Sequence, residues 1–87
     1  MALITKRNIS RINKERNMVH ESVEATYCVF SKGENKYFQI DTYGSEGRQL
    51  KSKISQSIQI DREMAIELVE LLQKEFDLKL RWYWHKK

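Results

Sequence analysis

Few side chains in this sequence are suited to catalysis or to metal binding. The two histidines, His20 and His85, lie in polar segments, and the single cysteine, Cys28, is far from both along the chain. No Cys–His pair and no His-x-x-x-His spacing occurs, so the sequence predicts neither an activated nucleophile nor a zinc site. Asp41 fits either a cross-strand pair with a lysine or an acid–base role. We therefore expect no enzymatic activity, no cofactor and no metal.

Binding chemistry is better represented, beginning with the stretch "KISQSIQID" at residues 53–61. Successive side chains of a strand point to opposite faces, so this segment predicts one apolar face and one polar face. The apolar positions are Ile54, Ile58 and Ile60. The polar positions are Lys53, Ser55, Ser57 and Gln59.

The same alternation occurs in "KYFQIDTY", residues 36–43. If Phe38 and Ile40 join the isoleucines on the core side, the opposite face carries Tyr37, Gln39, Asp41 and Tyr43. Basic residues would surround it, at Lys32, Lys36, Arg48 and Lys51. Rings, adaptable polar groups and a basic rim are typical of single-stranded nucleic-acid binders. An ordinary solvated sheet face also fits this pattern.

The elements that position this face follow from local signals. "VEATYCVFS" (23–31) is rich in β-branched and aromatic residues and predicts a strand, and "KGEN" predicts a turn at Gly33. A β-hairpin over 23–43 follows. Residues 44–52 predict a loop, with room for a short strand at 48–51. We expect an α+β fold: a small antiparallel β-sheet packed on one amphipathic C-terminal helix.

The helix is predicted to start after the cap residue Asp61 and to end near Phe76. Its apolar stripe consists of Met64, Ala65, Leu68, Val69, Leu72 and Phe76. We expect this stripe to pack on the isoleucine face of the sheet. The opposite helix face carries Glu63, Glu67, Glu70, Lys74 and Glu75. Its acidic character excludes it as a phosphate-binding surface.

Charge divides the 87-residue chain into three segments with a net charge of +4 overall. A basic N-terminal arm (1–20) has five basic residues against one acidic, and a basic tail (77–87) has four against one. The core domain between them (21–76) is mildly acidic, with seven basic against ten acidic residues. Basic arms suit a polyanion, and they also resemble ordinary solvated tails. In the first arm, Ile9, Ile12 and Val19 leave a short helix open as an alternative.

Three further expectations concern the ends of the chain and its environment. "DLKLRWYWHKK" fits a strand or a continuing helix, and Trp82 and Trp84 are expected to pack on the body, on a second subunit or on bases. No apolar run reaches membrane-spanning length and no secretory signal is recognised, which fits a cytoplasmic protein. Cys28 is expected to be a small buried hydrophobe.

The order of "ATYCVF", "SKGENK", "YFQIDTYGSEGRQLKSK" and "ISQSIQI", followed by a helix, resembles the transcriptional positive cofactor four (whirly-type) family of single-stranded DNA-binding proteins. The parallel covers residues 24–76, roughly 60% of the chain. The resemblance implies two subunits paired through their helices, with curved sheets that grip single strands. The positions matching the family's binding surface are Tyr37, Gln39, Tyr43, Arg48, Lys51, Lys53, Ser55 and Gln59.

Together these observations predict a non-catalytic homodimer that binds single-stranded nucleic acid, DNA rather than RNA, through the polar and aromatic sheet face. A coactivator-like role in transcription is what the resemblance implies. The alternative is a small protein–protein interaction or regulatory module of the phage accessory type. Such a module would dock through the hairpin and the Trp-rich tail.

Overall fold

A computed structural model of the chain describes residues 1–44 and 53–79. Within these ranges the sheet order is β1-β4-β3-β2, with β2–β3 and β3–β4 antiparallel and β1–β4 parallel. The predicted α+β class is confirmed, but the sheet is mixed rather than wholly antiparallel. The elements are β1 (Ala2–Ile4), a 3₁₀ turn (Lys6–Asn8), β2 (Ala25–Lys32), β3 (Asn35–Tyr43), β4 (Ile54–Ile60) and α1 (Arg62–Phe76).

The predicted hairpin with its turn at Gly33 forms, and the turn has two residues. Lys32 lies opposite Asn35. Gly33, between them, has a φ of 65°, which residues with a Cβ rarely adopt. From this turn the β2–β3 ladder runs without a break to Ala25 opposite Thr42. The turn therefore determines which residues of β2 and β3 share a face.

The β3–β4 ladder contains one irregularity, which the sequence pattern did not reveal. The ladder is regular as far as Thr42 opposite Gln56, after which Ser55 has no partner and Tyr43 lies opposite Ile54. An extra residue in one strand interrupts the alternation of faces. Ile54 therefore lies on the same side as Tyr43, and the prediction that it shares a face with the other two isoleucines of β4 is wrong.

Residues at the N-terminus extend the sheet and then reach the helix. β1 adds a parallel edge strand, with Leu3 opposite Gln59. The 3₁₀ turn follows, and Arg11 Nη1 lies 3.1 Å from Glu75 Oε2 on α1. This ion pair is exposed and contributes little to stability. The short helix that the isoleucines of this segment left open is not formed, and Ile12 is 65% exposed.

The helix begins and ends where the sequence predicts. Asp61 Oδ1 accepts a hydrogen bond of 2.9 Å from the backbone N–H of Met64, which satisfies one of the unpaired donors of the first turn. At the other end Asp77 is left-handed, with a φ of 58°, and Leu78 N donates to Gln73 O at 3.0 Å. Within the two described ranges no helix is long and apolar enough to cross a bilayer.

Burial of the apolar residues is less complete than predicted. Among the described hydrophobic side chains only Met64 is buried, at 1% exposure. Further along the helix stripe Leu72 is 40% exposed and Phe76 69%, while Ile40 and Ile58 on the sheet are each 41% exposed. The helix stripe therefore covers the sheet's isoleucines only in part.

Cys28 is also exposed, which corrects the prediction of a buried small hydrophobe. The reason is its position on β2, which has only one hydrogen-bonded neighbour among the described strands. A sequence pattern rich in β-branched and aromatic residues predicts a strand, but it does not distinguish a central strand from an edge.

The cap at Asp61 makes a testable contribution to stability. Asp61→Ala leaves the Met64 N–H without its side-chain acceptor and should lower the free energy of unfolding by about 1 kcal/mol, measured by urea denaturation. Asp61→Asn is the matched control, because asparagine caps comparably and should leave the midpoint nearly unchanged. Equal loss in both variants would contradict the capping role.

Candidate nucleic-acid interface

One face of the sheet gathers most of the predicted site residues that the structure describes. Tyr37, Gln39 and Tyr43 alternate along β3 and therefore point to the same side. Gln59 on β4 lies directly opposite Gln39 and completes the group. We call this surface the polar face.

The remaining predicted residues lie at the margins or outside the described ranges. Lys53 is exposed and immediately precedes β4, and Ser55 is exposed at the irregularity, without a partner across the ladder. Arg48 and Lys51 lie outside the described residues, as do Trp82 and Trp84. At the opposite end of β3 the exposed Lys32 and Lys36 flank the hairpin turn.

A chain of side-chain hydrogen bonds crosses the polar face and ends on Asp41. Gln59 Nε2 donates to Gln39 Oε1 at 2.7 Å, and Gln39 Nε2 donates to Asp41 Oδ1 at 2.9 Å. Ser57 Oγ donates to the same carboxylate oxygen at 2.5 Å. Because an ionised carboxylate only accepts, Asp41 determines which end of the Gln39 amide faces it and hence which end faces Gln59.

Asp41 and Ser57 are the two buried polar residues within the described ranges, at 8% and 6% exposure. The sequence allowed a cross-strand lysine as the partner of Asp41. Instead its neighbours across the ladders are Ser57 on β4 and Thr26 on β2. For the described residues the lysine pair is therefore wrong, and the carboxylate is stabilised by neutral donors.

β2 contributes side chains to the polar face that the sequence analysis did not assign to it. Thr26 lies opposite Asp41, and its hydroxyl is 3.0 Å from the Tyr43 hydroxyl. Phe30 lies opposite Tyr37, and their rings are stacked with centroids 5.6 Å apart. The hairpin turn could have predicted which residues of β2 share this face, because the turn sets the pairing of the whole hairpin.

The groups on this surface are suited to binding. It offers aromatic rings, amides and hydroxyls at the centre and lysines at both ends. Within residues 1–44 and 53–79, no group of three or more His, Cys, Asp or Glu side chains is arranged to hold a metal ion. The polar face therefore has the groups needed to contact bases and phosphates.

No protein-family model, curated protein or solved structure matches the chain. The family resemblance drawn from the order of elements thus stays a prediction, and the interpretation of the polar face rests on its own geometry.

Two serines of β4 provide a matched test of the hydrogen-bonded chain. Ser57→Ala removes a donor from the buried carboxylate of Asp41 and should lower the free energy of unfolding by about 1–3 kcal/mol. Ser55→Ala makes the same chemical change at an exposed position and should stay within about 0.5 kcal/mol of the parent protein. Chemical denaturation of both variants measures the difference. Similar values would show that the Ser57–Asp41 bond does not stabilise the sheet.

Proposed function

We propose that this protein binds single-stranded nucleic acid through the polar face and acts as a homodimer. The proposal rests on one observation. Stacked rings and hydrogen-bonded amides lie on the same sheet face, and exposed lysines lie at its ends. DNA is proposed over RNA from the family resemblance alone.

The rings of the polar face are arranged to accept bases. Tyr37 is half-buried and stacked on Phe30, so its ring is held in place while part of it still faces solvent. A ring ordered before binding loses little conformational entropy when a base stacks on it. Stacking of this kind is tolerant of base identity, because every base has a π-face.

Gln59 offers hydrogen-bonding groups beyond the internal chain. A primary amide has two N–H donors and one carbonyl oxygen, and the bonds formed with the described residues use one N–H, to Gln39. The second N–H and the carbonyl oxygen can then pair with a base edge. The fixed orientation of Gln39, set by Asp41, holds this end of Gln59 in position.

Charge on this face favours one orientation of a bound strand. The Asp41 carboxylate lies near the centre of the sheet and opposes the approach of phosphates. Lys53 at one end and Lys32 at the other are exposed and attract them. Bases should therefore face the centre of the sheet, while the sugar–phosphate backbone follows the lysines at its ends.

Support for the homodimer comes from two uncovered apolar surfaces on the same chain. On the sheet side opposite the polar face, Tyr27 is 70% exposed, and Ile40 and Ile58 are each 41% exposed. On the helix, Ile66 is 50% exposed and Phe76 69%. A two-fold axis could place the helix of each copy on the sheet of the other. Each copy would then have both of its apolar surfaces covered, and the interface would be isologous.

The exposed hairpin also favours a second candidate, the protein-interaction module. Tyr27 and Val29, at 70% and 52% exposure, form an aromatic and aliphatic patch of the kind that docks on other proteins. The two candidates differ in a direct measurement. A chain that stays monomeric and binds no oligonucleotide at low salt would favour docking on a different protein.

Nucleic-acid binding should show the salt dependence of phosphate contacts. Fluorescence anisotropy with labelled single-stranded oligonucleotides should give affinities that fall steeply with salt, because each phosphate contact releases counterions. Lys53→Glu should weaken binding to all sequences alike and reduce the slope of log K against log salt by about 0.7. Lys74→Glu on α1 makes the same charge change away from the polar face and should bind like the parent. Absence of binding at about 50 mM salt would refute the proposal.

The apolar sheet face should control the state of association. Ile58→Glu places a charge in the middle of the proposed interface, where burying it unpaired is costly, and should lower the state of association in sedimentation velocity runs. Ile12→Glu is the matched control, because Ile12 is 65% exposed in the N-terminal segment, away from the sheet face. Dissociation by both variants, or by neither, would count against this interface.

A further inference from the structure

β2 forms a long edge of the sheet without a second neighbour among the described strands. All eight of its residues, Ala25–Lys32, are exposed. The other edge strand, β1, has only three residues. Short edge strands resist pairing with other chains, whereas long ones present a row of unpaired backbone donors and acceptors. The long edge of β2, unlike the short edge of β1, is therefore open to pairing with another strand.

The register of the hairpin identifies which backbone groups face outward. Lys32 and Asn35 flank the two-residue turn and form the first hydrogen-bonded pair, and such pairs alternate along an antiparallel ladder. The bond from Tyr43 N to Glu24 O, at 3.0 Å, fits the same alternation. Even-numbered residues of β2 thus bond to β3. The outward N–H and C=O groups belong to Ala25, Tyr27, Val29 and Ser31.

This edge lacks the devices that usually prevent strand pairing. The β2–β3 register has no bulge, and β2 has no proline. Its single charged residue, Lys32, is at the end of the strand. Natural sheets protect exposed edges with bulges, prolines or charges in mid-strand. Their absence leaves β2 able to add another strand in register.

We propose that β2 pairs antiparallel with β2 of a second copy, around a two-fold axis at Cys28. In an antiparallel pair, outward-bonding residues must lie opposite one another. Centring on Cys28 meets this condition and pairs seven of the eight residues of β2, Ala25 to Ser31. Tyr27 then lies opposite Val29 of the second copy, an aromatic and β-branched pair of the kind that stabilises sheets. Centring on Val29 pairs as many residues but places Tyr27 opposite Ser31, and centring on Tyr27 pairs only five.

Symmetry favours a second copy as the occupant. With Cys28 at the centre, the pair of Tyr27 with Val29 occurs once on each side of the axis, so the interface is self-complementary. An unrelated extended peptide would match both pairs only by coincidence.

This interface goes beyond the homodimer of the proposed function, which buries the apolar sheet face and the helix. Pairing along β2 uses a different surface and joins two sheets into one of eight strands. The two polar faces would then be continuous, so a longer single strand could cross both. The inference itself does not depend on nucleic-acid binding.

The exposed Cys28 reports directly on the register. At the axis it would lie opposite its own copy as a non-hydrogen-bonded pair, with Cα atoms about 4.5 Å apart. A disulfide needs a Cα separation of about 4.4–6.8 Å. Oxidation of the full-length protein with diamide, which takes up the two electrons and two protons of the thiol pair, should therefore yield a covalent dimer on non-reducing gels.

A single-cysteine control on the same strand tests the register. In the double variant Cys28→Ser with Ser31→Cys, the two cysteines would lie six residues apart across the axis, about 20 Å. At equal protein concentration, this variant should give at least about tenfold less covalent dimer than the parent chain. Similar yields in both chains would overturn the proposal, since they would report random collision.

Two further variants separate this edge from the apolar interface. Val29→Pro removes an outward N–H and spares the β2–β3 ladder, so it should abolish cross-linking while circular dichroism stays unchanged. If proline disturbs the fold, Cys28→Lys places two lysines face to face and should lower the sedimentation coefficient instead. Ile58→Glu should still cross-link through Cys28. Loss of the covalent dimer in Ile58→Glu would mean that β2 pairing is not an interface of its own.

Discussion

A carboxylate buried in the middle of a sheet is the constraint on which the polar face depends. Asp41 is 8% exposed and accepts hydrogen bonds from Ser57 and Gln39 on a single oxygen. An unsatisfied charge at this position would be costly, and Ser57 across the ladder and Gln39 along the strand supply the donors. The orientation of Gln39, and through it that of Gln59, follows from this requirement. A face that could have been an ordinary solvated surface becomes an ordered array of polar groups.

The central position of β3 makes this array possible. It bonds to β2 on one side and to β4 on the other, so each of its residues has two cross-strand neighbours. The turn at Gly33 sets the first register, and Ser57 opposite Asp41 belongs to the second. Near the end of β3 the irregularity at Ser55 brings Ile54 opposite Tyr43. The apolar side of the sheet loses one isoleucine as a result.

Small size explains why so much apolar surface remains uncovered. A domain of 87 residues buries a modest fraction of its surface, and here the helix stripe and the sheet face are both partly exposed. The long edge of β2 adds unpaired backbone groups to this surface. Association with further copies covers such surfaces without lengthening the chain. The homodimer and the β2 pairing are proposals of this kind, on separate parts of the molecule.

The sequence by itself determined the hairpin, the helix from its cap at Asp61 to Phe76, and the side of β3 on which Tyr37 and Gln39 lie. Alternation, turn glycines and capping are local, and they act through neighbours a few residues apart. Only the tertiary structure decided that β1 joins the sheet in parallel, that Ile54 changes sides and that Cys28 lies on an exposed edge. Each depends on which strands become neighbours, and residues distant in sequence decide this by the surfaces they can bury together.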